Sequence, residues 1–284
     1  MAGKTEFLLH QRISCAILIS EGENMKIVTL IENTSCREDL QAEHGLSLYI
    51  EACGKKILFD AGESGAAIDN AQKLSIDLSK VDLAVLSHGH SDHCGGLLRF
   101  MSVNKTASIW LRQEALGSYH NSSGNCISLD PELRYSKRLR FAGEGESLGE
   151  GLTLFSCNDR EKTVPIDSAG LQVCRQGICY PDDFLHEQYL LICEEDKRVL
   201  ISGCSHKGIL NITRWFQPDV LIGGFHYMRI DPEDPMLVSA AKQLLTYPTA
   251  YYTGHCTGAD QYAVMKKIMA DKLSSLSTGT VIEI

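Results

Sequence analysis

Short apolar runs alternate with polar turns along the whole chain, and two periods recur. Over 25–33 (MKIVTLIEN), 46–62 (LSLYIEACGKKILFDAG), 81–88 (VDLAVLSH) and 107–112 (ASIWLR), aliphatic and β-branched residues form runs of strand length bounded by Gly, Asp and Asn. The second run reverses at Cys53-Gly54, which predicts a hairpin. Between these strands, 67–78 (AIDNAQKLSIDL) spaces its apolar residues at helical intervals, with Asp69 early in the segment. The second half repeats the style. Strands are predicted at 152–156, 188–203, 218–224 and 250–254, and helices over 209–217, 235–247 and 259–273. The 188–203 stretch turns at EEDK and mirrors the first hairpin. Two similar β-rich halves with outer helices predict an α/β (α+β) protein, a four-layer αββα sandwich with helices covering two facing sheets. Residues 113–150, rich in Gly, Ser and Glu and without clear periodicity, are expected to be a surface insertion able to cap a site. The main domain is expected over 25–284, with 1–24 as an extension packed outside it. The extension lacks the charged start, continuous apolar core and cleavage site of a signal peptide.

Composition narrows the class without changing the architecture. With 284 residues, 44% hydrophobic and 22% charged, the chain can bury one large core or two small ones. A formal charge of −9 argues against a broad basic surface for nucleic acid, but a small anionic substrate is compatible if a metal supplies local positive charge. The 11 cysteines are scattered without a C-x-x-C pair, which reads as free thiols in a reducing compartment. No apolar run approaches the roughly 20 residues needed to span a bilayer, so no membrane partner is expected and a cytoplasmic location is.

The densest chemistry lies in LSHGHSDHCGG, residues 86–96, where three of the chain's 10 histidines stand beside an aspartate. A strand ending at Ser87 would deliver His88 and His90 into the following turn. Asp92 and His93 then sit where the chain enters the next helix. Imidazole nitrogen and carboxylate oxygen suit zinc foremost, or iron or manganese, and the His-x-His and Asp-His pairs can each address a separate ion. Two divalent ions close together is the natural reading.

H-x-H-x-D-H after an apolar strand resembles the metallo-β-lactamase superfamily, whose fold is the αββα sandwich. ILFDAG (57–62) resembles that superfamily's strand-Asp-x-Gly element, which implies that Asp60 orients a ligand histidine. The resemblance covers 25–284. It implies a last metal ligand at His255 in YYTGHCTG, and one more at either His206 in LISGCSHKGILNI or His186 in FLHEQYLLI. The implied metal set is His88, His90, Asp92, His93, His206 and His255. Many members carry a bridging Asp where this chain has Gly203-Cys204, so Cys204 is either a ligand for a soft metal or a small buried residue. Within the superfamily, HGLSLYIE, GCSHKGILNI, GGFH and GHCTG are most similar to the branch named for the dihydropterin-ribofuranosylaminobenzene-phosphate synthase of methanopterin biosynthesis. A branch does not determine a substrate.

Hydrolysis of a small phosphoester or ester is the leading expectation, because a metal lowers the pKa of bound water towards about 7 and stabilises charge on a phosphoryl or carbonyl oxygen. Asp92 would orient the nucleophile. His226 in VLIGGFHYM, ending another apolar strand, would protonate the leaving group or contact substrate, unless it is a core histidine. His44 is expected to be structural at the pocket edge, Glu187 to hold a backbone or a neighbouring side chain, and His10 and His120 to carry only a surface role. The alternatives are a synthase-like transferase with a pyrophosphate leaving group, a non-catalytic metal-binding or sensing module, a redox protein and a nuclease. Nothing in the sequence sets the oligomeric state.

Overall fold

The computed structural model describes residues 25–284. The extension expected at 1–24, including His10, lies outside the described residues. Two seven-stranded sheets carry the domain. In spatial order the first is Val281–Glu283, Lys26–Ile31, Ser47–Ala52, Lys55–Phe59, Leu83–Val85, Ser108–Leu111 and Leu139–Phe141. The second is Leu273–Ser275, Ala250–Thr253, Val220–Ile222, Lys197–Ile201, Tyr189–Glu194, Leu152–Phe155 and Glu146–Gly149. Each is built on an antiparallel hairpin whose second strand is continued by parallel neighbours. The two predicted hairpins, at 46–62 and 188–203, are those nuclei.

Period-two alternation explains the layering. In SLYIEA, Leu48 and Ile50 point into the core between the sheets, whereas Tyr49 faces the outer helices. From the other sheet Leu190, Ile192, Val199 and Ile201 meet Leu48, Ile50, Ile57 and Phe59 in one apolar layer. On the first outer face, helices Ala66–Lys73 and Leu97–Val103 bury Ala67, Ile68 and Phe100 against Leu58 and Ile109. On the second, Ile209–Phe216, Pro235–Leu244 and Ala259–Met269 bury Ile212, Leu244 and Met265 against Leu200, Leu221 and Tyr251. The result is the αββα sandwich. No helix among the described residues is long and apolar enough to cross a membrane.

The stretch at 113–150 does more than cover the surface. Leu139–Phe141 and Glu146–Gly149 are the outermost strands of the two sheets, and Ser118–His120 pairs with the hairpin Gln172–Arg175/Ile178–Pro181 in a small third sheet. Strands of three or four residues at an edge cannot display a long alternation, which is why periodicity missed them. The hairpin turns at Gln176-Gly177, both at positive φ (52° and 81°), as a two-residue turn of this twist requires. Across it, Cys174 and Cys179 face each other and are disulfide-bonded, which corrects the expectation that all the thiols are free. The pairing follows from register, since a separation of five in a tight hairpin makes the two residues direct cross-strand partners.

Candidate metal centre

Short buried strands aim the polar residues at one place. Leu83–Val85 ends three residues before His88; Lys197–Ile201 leads to Cys204 and His206; Val220–Ile222 leads to His226; and Ala250–Thr253 leads to His255. The four-residue helix Ser91–Cys94 presents Asp92 and His93. It lies against the loop after Phe59 because Gly95 and Gly96 follow it: a Cβ on either would come within 2.0 Å of the Glu63 carbonyl oxygen or 2.1 Å of that of Ala61. That close approach brings His93 to Asp60.

The donors form two groups, His88/His90/His206 and Asp92/His93/Cys204/His255, and within each the potential ligand atoms lie within 4.8 Å of one another. Between the groups, the ring centroids of His88 and His93 are 4.2 Å apart. Hydrogen bonds on the far side of the rings set the tautomers. Ser87 donates its hydroxyl to Asp60 Oδ2 at 2.7 Å, so at 2.8 Å it can only accept from His88 Nδ1. Asp60 Oδ2 accepts from His93 Nδ1 at 2.7 Å, as the sequence resemblance implied. Asn33 Oδ1 accepts from His255 Nδ1 at 2.9 Å, and Asp182 Oδ2 accepts from His90 Nε2 at 3.2 Å. Each proton is therefore held outward, and the remaining nitrogen lone pair is left for the cluster.

Inside, the lone pairs crowd. His93 Nε2 is 3.1 Å from His255 Nε2 and 3.1 Å from Cys204 Sγ, and His206 Nε2 is 3.3 Å from His88 Nε2. Asp92 Oδ2 lies 3.2 Å from His255 Nε2 and 3.6 Å from His93 Nε2. The buried Nδ1 of His206 has no hydrogen-bond partner. Burial, with neighbouring histidines, holds His88 and His206 well below the ordinary histidine value. Burial also lowers His255, although Asp92 opposes it. His93 is the exception: burial would lower it, but the Asp92 and Asp60 carboxylates raise it to about 9, so near pH 7 its Nε2 carries a proton that an entering cation would displace. Burial would raise Asp92, but His93 and His255 hold it well below the carboxylate range. A pocket of converging lone pairs beside an ionised carboxylate and a thiol fits a divalent cation, and the nitrogen, oxygen and sulfur set suits zinc.

Of the two alternatives for the remaining histidine, His206 groups with His88 and His90, whereas His186 groups with His90 and Asp182. His186 has both nitrogens engaged: Gly89 N–H donates to its Nδ1 at 2.9 Å and its Nε2 faces Asp182 Oδ2 at 3.2 Å. Burial lowers it to about 4 against the pull of Asp182. Cys204 is buried and points into the second group. His226, at φ 57°, stacks edge-on over His206 with centroids 4.3 Å apart, and burial lowers it to about 4. His44 lies nearer than a purely structural reading implies, its Nε2 being 3.5 Å from Asp92 Oδ2. Glu187 holds backbone: Oε1 accepts from His206 N at 2.7 Å and Oε2 from Lys207 N at 3.1 Å. Buried Lys207 donates to the carbonyl oxygens of Ser156 and Glu187, both at 2.9 Å, and burial lowers it to about 8 despite Glu187.

Three contributors escaped sequence reasoning. Asp182 has one local signal, a carboxylate four residues before a histidine in DDFLH. Asn33 and Glu32 have none beyond following a strand, yet Glu32 Oε1 accepts from His255 N at 2.5 Å.

The description of the family model that matches residues 41–255 is the metallo-β-lactamase superfamily. The chain is 28% identical over 298 residues to the 7,8-dihydropterin-6-methyl-4-(β-D-ribofuranosyl)-aminobenzene-5'-phosphate synthase of Methanocaldococcus jannaschii, covering 93% of this chain and 98% of that protein. Among solved structures it is similar to Tm1679, described as a metal-dependent hydrolase of the β-lactamase superfamily, with TM-score 0.78, 28% identity and coverage of 92% and 99%. The fold is also that of Zn(2+)-bound PqqB from Methylobacterium extorquens, at TM-score 0.59 and 13% identity, with coverage of 91% and 100%.

Proposed function

The chain belongs to the metallo-β-lactamase superfamily, and from that premise we propose that it is a metal-dependent hydrolase of a small anionic phosphoester or ester. The observation that carries the reading is the set of outward hydrogen bonds, from His88, His90, His93 and His255, that leaves lone pairs converging in two adjacent groups. The similarity to Tm1679 supports the hydrolytic class.

His88, His90 and His206 would hold one divalent ion, and Asp92, His93, Cys204 and His255 a second; zinc suits both sets. Bound there, such ions would supply Lewis acidity towards a phosphoryl or carbonyl oxygen and lower the pKa of water. The protein's own groups do the positioning. Asp60, through Ser87 and His93, locks one ring in each group. Asp92, held ionised, accepts a hydrogen bond from an attacking water and so orients it. His226, neutral near pH 7, offers an N–H to a leaving-group oxygen at the rim. Burial of the donors excludes bulk water and strengthens each of these interactions.

The test is elemental analysis of the purified protein followed by assay on ester and phosphodiester panels, with His88→Ala and His255→Ala alongside. About one metal equivalent should be lost in each variant, together with turnover. Unchanged metal content in both would overturn the ligand assignment.

A second reading is favoured by the end-to-end similarity to the synthase of Methanocaldococcus jannaschii. In that reading the same donors would hold ions that bind a pyrophosphate leaving group, while an arylamine-bearing substrate attacks. Product analysis separates the two: incorporation of oxygen from labelled water marks hydrolysis, and a new bond to an arylamine acceptor marks transfer.

A further inference from the structure

The outward face of the small third sheet carries a second set of soft donors, separate from the buried centre. His120 Nδ1 lies 3.3 Å from Cys174 Sγ, and the ligand atoms of His120, Cys174 and Cys179 fall within 4.8 Å of one another. His120 pairs with Gln172, two residues before Cys174, and Cys174 pairs with Cys179. Direct cross-strand partners and i, i+2 neighbours share a face, with Cβ atoms about 4.5–5.5 Å apart for direct pairs. His120, Cys174 and Cys179 therefore stand side by side on one face. Cys126 pairs with His120 from the strand edge away from Gln172, and its Sγ rests 3.3 Å from Ser128 Oγ, so it stands beside this set without joining it. The opposite face carries buried Tyr119 and Val173.

We propose that His120, Cys174 and Cys179 form a site for a soft divalent cation, zinc by its donor set, that opens when the Cys174–Cys179 bond is reduced. Two thiolates and one imidazole fill three of the four positions of tetrahedral zinc, and water takes the fourth. The chemistry balances with a dithiol as reductant: two electrons and two protons pass to the two sulfurs, and the dithiol closes to its own disulfide. Zinc then displaces the thiol protons into solvent as the sulfurs bind.

The position gives the site a purpose. Tyr119, adjacent to His120, stacks on His186 with centroids 4.0 Å apart at 19°. The strand bearing Cys179 ends at Pro181, and the next residue, Asp182, holds both His90 and His186. The disulfide ties the two strands of the hairpin, and an ion held by His120 as well would pin all three strands over the buried centre.

The test uses the full-length protein stripped of metal, divided into dithiol-reduced and oxidised samples, freed of reductant without air, and titrated with zinc before elemental analysis. The reduced sample should hold about one equivalent more than the oxidised one. That extra equivalent should disappear in Cys174→Ser/Cys179→Ser and persist in His88→Ala, so failure of this site is distinguishable from failure of the buried centre. His120→Ala changes a half-buried side chain and should weaken the extra site by about tenfold or more, while Cys126→Ser, beside the set, should leave it unchanged, which keeps the test open if the double variant misfolds. Equal zinc in reduced and oxidised protein, a disulfide that resists the dithiol, or an extra equivalent retained in the double variant would each overturn the proposal.

Discussion

Asp182 is a single oxygen serving two rings: its Oδ2 lies 3.2 Å from Nε2 of both His90 and His186. Removing the charge should loosen both at once. Asp182→Asn is expected to weaken metal binding by about 10–100-fold, the usual cost of losing an orienting partner, as read by chelator competition. His186→Gln, which leaves His90 and its carboxylate in place, should cost much less. At this scale the sequence was most legible where the donors are consecutive. His88, His90, Asp92 and His93 are close in the chain and had to be close in space. The choice between His206 and His186 was not legible, because it depends on which ring nitrogens are already engaged, and Gly89 is 97 residues from His186. Cys204 was open for the same reason: its 3.1 Å approach to His93 depends on a residue 111 positions away.

Among the elements, the hairpins and the buried parallel strands were readable because both faces of a covered sheet write a strong apolar signal. Edge strands such as Leu139–Phe141 were not, since only Leu139 of its three residues is buried. Loops that join the sheets were also silent. Glu32, just past the strand Lys26–Ile31, is buried and accepts from His255 N, Thr34 N (2.6 Å) and Thr34 Oγ1 (2.7 Å), while its own N–H donates to Thr278 Oγ1 at 2.8 Å. It thereby ties the first sheet to the loop carrying His255. Glu32→Ala leaves buried donors unpaired and should cost about 2 kcal/mol or more in urea unfolding, with a parallel loss of metal affinity. Thr34→Ala removes one exchangeable partner at an exposed position and should cost under about 1 kcal/mol in the same assay.

For the whole molecule, the buried histidines, carboxylates and thiol are a stability problem that a cation relieves, because ions bind the assembled cluster and not the unfolded chain. At a free-metal concentration about 1,000 times Kd the gain is about 4 kcal/mol. Adding a strong chelator should therefore lower the melting temperature by roughly 8–16 °C. An unchanged transition would mean that the donors hold no ion in the folded state. The αββα layering was legible at this scale because two hairpin-led halves repeat the same pattern.

The division of the ligands between the two sheets bears on how the chain matures during synthesis. His88, His90, Asp92 and His93 come from the first half, but they acquire Cys204, His206 and His255 only when the second sheet has closed over them. Neither half holds a complete set. A nascent chain therefore completes the His88/His90/His206 group only after the strand Lys197–Ile201 is in place, and the other group only after Ala250–Thr253, so loading follows assembly instead of guiding it. Bound metal in this protein then reports a finished fold, and two fragments cut between the sheets would regain tight binding only by finding each other.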